Sequence, residues 1–368
     1  MIFTNRSGLP AAWTMGFRRD GRELLVVIVK ATFALPAPGE SVMLAAQQQP
    51  LVEADTFSGE PGQSAPRFET DFAHEKPGCD VLLLGSAHAP AGRRVARCEV
   101  GLRVAGLSKR FVAVGPRVWR KRLGLVTATA PEPFEILPLG YDTAWGGTDR
   151  TREDEGEVEA FRTNPVGRGW WRHSQHIDGQ PLPFSEEPGR PIDDHDGTYR
   201  PQAFSPIGRG WLPRSTLAGT YDEEWLATQA PLWPDDFDER YFQAAPADQV
   251  IPHPVGGEPV VLQHLTPHPT LAFALPTVPM PVTFIPHRGR DLTQPARIDT
   301  IVLEPDEGRF TMTWRCTLPL GRSVFDVRET ITGEMPAAWH RARRFPGKTY
   351  YAGLGDLVRA RRARRGQP

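Results

Sequence analysis

Residues 23 to 35 read ELLVVIVKATFAL, and the fold class turns on this stretch. It is dense in β-branched residues, and its near-continuous apolar run predicts a strand buried on both faces. The segment CDVLLLGSAHA (79–89) has the same character. Between 93 and 119, Val95, Arg97, Glu99, Gly101 and Arg103 alternate with smaller or apolar neighbours, and GLSK supplies a turn into RFVAV. That pattern predicts a hairpin with one solvated face. Strands resume after Gly256 with EPVVLQHLT and TLAFALP, then RIDTIVLEPDEGRFTMTWRCTLPL (297–320). In the last of these, Pro305 to Gly308 read as a hairpin tip, with Ile298, Thr300 and Val302 on one arm and Phe310, Met312 and Trp314 on the other.

The stretch from 131 to 255 differs in kind. Pro, Gly, Trp, Asp and Arg dominate it, and no periodic apolar segment exceeds a few residues. Its tryptophans (145, 170, 171, 211, 225 and 233) imply that it is folded, because exposed indole at that density invites aggregation. Short helices are expected near DEEWLATQ (222–229) and PDDFDERYFQAA (234–245), the second led by Pro234 and an acidic turn. The expected class is therefore mainly β: antiparallel, sandwich-like sheets, a Pro/Gly/Trp-rich loop region and few short helices. The expected organisation is a β-sheet domain over 1–130, the aromatic loop region over 131–255, and strands over 256–335 completing the same assembly. A basic tail is expected over 336–368, with LGDLVRARRARRGQP (354–368) beginning as a short helix and then fraying.

Composition narrows the function. The 368 residues carry a formal net charge of -1, which supplies no field for nucleic acid or an anionic membrane. The 38 Pro and 35 Gly favour short strands and structured turns over long helices. Cys79, Cys98 and Cys316 show no CxxC spacing and read as buried thiols of a reducing compartment. The opening MIFTNRSGLP lacks a signal-peptide core and no apolar run reaches membrane-spanning length, so a cytoplasmic location is expected.

Catalytic constellations are sparse. His173/His176 and His264/His268 have ligand-like spacing, but Pro267 breaks the helix the second pair would need, and neither has a cysteine beside it. No metal or cofactor is expected. Acidic runs at 153–155, 193–194, 222–224 and 235–236 could furnish the paired carboxylates of a glycosidase, or read as solvated turns and helix starts. No nucleophile elbow or phosphate-binding loop is present, and Gly146–Gly147 read as a tight turn.

The most distinctive feature is a frame that occurs twice, Pro-aliphatic-Gly-Arg-Gly-Trp, in NPVGRGWW (164–171) and SPIGRGWL (205–212). Proline fixes one φ and the glycines open turns closed to other residues, leaving Arg and Trp as the side chains on offer. They either anchor a partner protein or plug the core and cap carbonyls. The candidate partner-binding set is Trp145, Arg168, Trp170, Trp171, Arg209, Trp211, Tyr221 and Trp225.

The chain also resembles a known group. VVIVKATFAL (26–35), FSGEPGQSAPRFETDFAHEKPGCDVLLLGSAHAPAGR (57–93), PFEILPLGYDTAWGGTDR (133–150), the two Arg-Trp frames and PLWPDDFDERYFQAAPADQ (231–249) resemble the uncharacterised-domain family of type VI secretion accessory proteins. Members of that family are encoded beside PAAR-like effectors and VgrG spike genes. The resemblance covers about residues 3 to 335. It implies a non-enzymatic adaptor or chaperone that binds a PAAR-like protein or an effector and assists its loading onto the VgrG spike. No catalytic residue carries over from it. The alternatives are a carbohydrate-active enzyme using paired carboxylates, or a glycan-binding module using stacked tryptophans.

Overall fold

In the computed structural model, which describes every residue except 91–92, 322, 346, 352 and 365–368, the stretch that opened the sequence forms a single strand, Glu23–Ala34. Twelve extended residues span roughly 40 Å, long enough to serve two cores at once. On its odd-numbered face, Leu25 and Val27 pack with Val282, Phe284 and Val327, while Val29, Ala31 and Phe33 enter a larger core with Val100, Leu102 and Phe111. On the other face, Leu24, Val26 and Ile28 lie under Leu51 and Phe72. Lys30 and Thr32 continue that face as polar groups. The Lys30 ammonium binds Asp71 at 2.9 Å, and the Thr32 hydroxyl accepts from the Gln49 amide. Double-sided burial explains why the run lacks simple alternation.

This strand belongs to a seven-stranded sheet in the order Val250–Ile251, Cys79–Leu83, Arg297–Glu304, Arg309–Pro319, Glu23–Ala34 and Ala11–Phe17, with Met43–Leu44 added beside Glu23–Ala34. The pairing is antiparallel except between Cys79–Leu83 and Arg297–Glu304, which run parallel. A five-stranded antiparallel sheet (Ser185–Glu186, Leu107–Val114, Arg97–Val104, Pro259–Gln263, Thr270–Ala274) covers part of its face. A four-stranded sheet (Ile2–Asn5, Val327–Thr332, Pro281–Pro286, Leu292–Pro295) covers the rest. The protein is thus mainly β, with layered antiparallel sheets and three short α-helices among the described residues. In each of these three sheets a strand from the first 130 residues pairs with one from 256 to 335.

The hairpin at 305–308 forms with Pro305–Glu307 as one 3-10 turn and Gly308 at φ 63° closing it. A bulge between Ile298 and Thr300 changes which side chains share a face. Ile298 joins Ile301 and Leu303 in the main core, and Val302 turns to the opposite side. In the other hairpin the turn falls on Ala105–Gly106, because Leu107 is already paired with Val104. The turn thus precedes most of the GLSK segment.

The helix expected at 222–229 is Glu223–Thr228, with the Asp222 carboxylate accepting from the Trp225 amide at 2.9 Å. Near 234–245 only one 3-10 turn forms, Glu239–Phe242 capped by Asp238, since Phe237 and Phe242 are drawn into a cluster with Trp233. The basic C-terminal stretch holds the expected helix, Leu354–Arg364, and a second that was not expected, Ala337–Arg344. Residues 365–368 lie outside the described residues.

Candidate partner-binding site

The two Arg-Trp frames share residues but not conformation. In the first, Asn164 anchors the turn by donating to the Tyr141 and Trp145 carbonyls at 2.9 Å each. Arg168–Gly169 then pairs in parallel with Trp145–Gly146. Gly146 stands at φ 146°, and a Cβ there would fall 2.1 Å from the Asn164 carbonyl oxygen, so glycine is required by close backbone approach. Gly169 has φ 95°, whereas Gly210, its counterpart in the second frame, has no positive φ.

Both frames nevertheless seat tryptophan inward. Trp145 is fully buried and Trp170 nearly so, in a cluster with Trp119, Ile177, Ile192 and Tyr199. Trp211 enters a separate cluster and meets Tyr141 edge-on at 5.5 Å. Arg168 stacks over Phe184 at 4.7 Å and donates to the Asp142 carbonyl at 3.0 Å. Arg209 forks onto Asp55 at 2.9 and 3.2 Å and reaches Glu69 at 3.2 Å. Trp171 is half-buried, with its amide donating to the His195 carbonyl. Of the eight candidate residues, Tyr221 is exposed and Trp225 half-exposed, and their rings meet edge-on at 4.7 Å. Leu226 and Leu232 extend the same excursion as exposed apolar groups.

Buried charge ties the 205–250 stretch to the central sheet. Asp80 on Cys79–Leu83 is fully buried and accepts from Lys76 (2.8 Å), the Gln243 side chain (2.6 Å) and the Ala244 and Ala245 amides (2.9 and 3.2 Å). Gln249 donates to the Val81 and Phe204 carbonyls and accepts from Lys109 at 2.7 Å. Arg214 is held by Glu69 and by the Ile207 and Tyr241 carbonyls. Every one of these ions has partners, as burial of charge demands.

Between those anchors lies a cleft of about 660 Å³. One wall is the second frame and the turn after it, with Ile207, Pro213 and Leu217; the other is the sheet margin, with Gly78, Val250 and Ile251. The lining is mostly apolar, and Arg240 is its exposed charge. No local pattern marks this cleft: Gly78 lies more than 100 positions before Ile207, and Val250 more than 30 after Leu217. The two glutamines of YFQAAPADQV, Gln243 and Gln249, are the trace of the polar network that holds one wall.

The remaining chemistry-bearing residues are engaged elsewhere. Asp222 and Asp238 cap turns, Asp236 accepts the Thr220 amide and hydroxyl, and Glu153 pairs with Arg150. Asp193, Asp194 and Asp196 line an open polar cavity of about 490 Å³ with Arg190 and Tyr199, whose hydroxyl donates to Asp193 at 2.6 Å. No group of three His, Cys, Asp or Glu side chains with metal-binding geometry occurs among the described residues. All three cysteines are buried, and desolvation pushes the Cys316 thiol up to about 12 and that of Cys79 well above its ordinary value. No helix among the described residues is long and apolar enough to cross a membrane.

With the sheets and the frames in place, comparison by family model gives one result: residues 20–315 match the family described as an uncharacterized protein conserved in bacteria (DUF2169). The chain belongs to that family. The match takes in the long central strand, both Arg-Trp frames, the cleft and the hairpin through Arg315, so the DUF2169 unit contains the site as a whole. No curated protein and no solved structure matches the chain.

Proposed function

We propose that this DUF2169 protein is a non-enzymatic binding scaffold whose 205–252 region grips another polypeptide. The observation that carries the reading is the apolar cleft of about 660 Å³ between the second Arg-Trp frame and the Val250–Ile251 margin. Its walls are held by buried ion pairs and amide bonds, so the surface is organised before a partner arrives, and preorganisation lowers the entropic cost of binding. The Tyr221–Trp225 pair offers rigid aromatic area on the same stretch of chain. The resemblance of the ordered motifs to type VI secretion accessory proteins supplies the partner class. On this reading the partner is a PAAR-like protein or an effector, and the scaffold assists its loading onto the VgrG spike from the cytoplasmic side.

Co-purification with the product of the neighbouring effector or PAAR-like gene tests the proposal. Thr216 and Ala247 line the cleft and are exposed, so arginine at either position blocks it without disturbing a core. Thr216→Arg and Ala247→Arg are expected to abolish capture while leaving the unfolding midpoint unchanged. Undiminished capture by both variants overturns the assignment of the cleft. A carbohydrate reading centres instead on Asp193, Asp194 and Tyr199, and titration with glycan fragments distinguishes it, since the scaffold reading expects no saturable heat.

A further inference from the structure

The Ala11–Phe17 strand forms one margin of the seven-stranded sheet, and its register reveals which backbone groups have no partner. The Lys30 amide donates to the Pro10 carbonyl and the Arg18 amide to the Arg22 carbonyl, so even-numbered residues of the strand bond inward to Glu23–Ala34. The odd-numbered residues therefore turn their amides and carbonyls outward. Phe17 agrees with this: its carbonyl accepts from the Trp233 indole at 3.1 Å. Ala11, Trp13 and Met15 are left with three amides and three carbonyls facing away from the sheet. Among the described residues their one contact is a 3.5 Å approach of the Thr14 hydroxyl to the Met15 carbonyl.

Sheet margins are ordinarily protected by charge, proline, bulges or shortness. Three other margins here follow that rule. Thr270–Ala274 lies between Pro269 and Pro276, Leu292–Pro295 ends in proline, and Val250–Ile251 is two residues long. Ala11–Phe17 follows Pro10 but carries no proline, charge or bulge within the strand itself. Its sequence AAWTMGF is uncharged, its ladder is continuous over seven residues, and Trp13 and Phe17 remain exposed.

We propose that this edge is the site of a two-fold dimer, in which Ala11–Phe17 pairs antiparallel with the same strand of a second copy. The strand is self-complementary about Trp13: Ala11 meets Met15 of the copy, and Trp13 meets Trp13, so that all six outward groups are satisfied. No like charges oppose one another. The two sheets become one continuous sheet through the interface.

Sedimentation over a range of concentrations, with hydrogen exchange on the same samples, decides the matter. The full chain is expected to be a dimer, with the Ala11, Trp13 and Met15 amides protected in step with dimer population. Trp13→Pro removes an outward donor and no bond within the sheet, so it is expected to give a folded monomer. Trp13→Lys gives a second route to the same result if proline disturbs the strand. A monomeric full chain, or odd-numbered amides exchanging freely while Ala12 and Thr14 are protected, overturns the proposal and leaves the edge to a strand of a different polypeptide.

Discussion

At the scale of single residues, Trp145 shows how an apparent display group serves as a core. Its ring is fully buried, edge-on to Tyr199 at 4.8 Å and to Phe161 at 6.1 Å. Trp145→Ala is expected to cost about 3–5 kcal/mol in denaturant unfolding. Its indole nitrogen has no hydrogen-bond partner among the described residues, so Trp145→Phe should cost less than the alanine change would suggest from volume alone. Trp225→Ala removes a half-exposed ring and its Nε1 bond to the Leu232 carbonyl, so it should cost only about 1 kcal/mol while abolishing partner capture. Cys316 supplies a chemical check. With its thiol raised to about 12 by burial, it should resist alkylation at neutral pH and react only after unfolding. His74 supplies a pH check. Burial lowers its pKa from 6.5, and Arg315 pushes in the same direction. Above pH 6.5 neither folded nor unfolded chain holds this proton. Below it the unfolded chain takes up a proton that the folded chain refuses, so stability falls with pH until the folded pKa is reached. His74→Phe should flatten that acid limb of the stability curve.

At the scale of elements, the Cys79–Leu83 strand does two things at once. Its apolar side chains build the cores, while Asp80 reaches the chain at 243–245 and fixes one wall of the cleft. Asp80→Ala leaves Lys76 buried without its carboxylate, and breaking a buried pair in this way is expected to cost about 3–5 kcal/mol. The same variant should loosen residues 243–252 to protease before global unfolding, an outcome that Asp306→Ala at the hairpin tip should not reproduce. Strand Ala11–Phe17 is equally constrained on its inner side. A Cβ at Gly16 would sit 2.6 Å from the His74 ring, so Gly16→Ala requires the ring to shift against Trp233 and Phe242, the two rings it touches.

At the scale of the whole molecule, the sheets interleave the two ends of the chain. Arg297–Glu304 and Arg309–Pro319 stand between Cys79–Leu83 and Glu23–Ala34, so a fragment of residues 1–255 lacks the middle of its main sheet. Such a fragment is expected to show no cooperative unfolding transition by circular dichroism, whereas the full chain should unfold as one unit. The strands themselves were legible in the residues: the β-branched run at 23–34 and the hairpin around Pro305–Gly308 both formed where their patterns placed them. The candidate site was less legible. Repetition singled out Arg168, Trp170, Arg209 and Trp211, yet the residues that shape the cleft, such as Leu217 and Val250, carry no local mark.

The division follows from the range of the forces involved. Strand period, turn chemistry at proline and glycine, and the capping of Glu223–Thr228 by Asp222 depend on neighbours a few positions apart, and the sequence alone determined them. Whether an indole faces solvent or a core, which strands lie side by side, and where a cleft opens depend on segments separated by up to several hundred positions. Only the tertiary structure decided those, because burial is a property of the space around a side chain and not of the side chain itself.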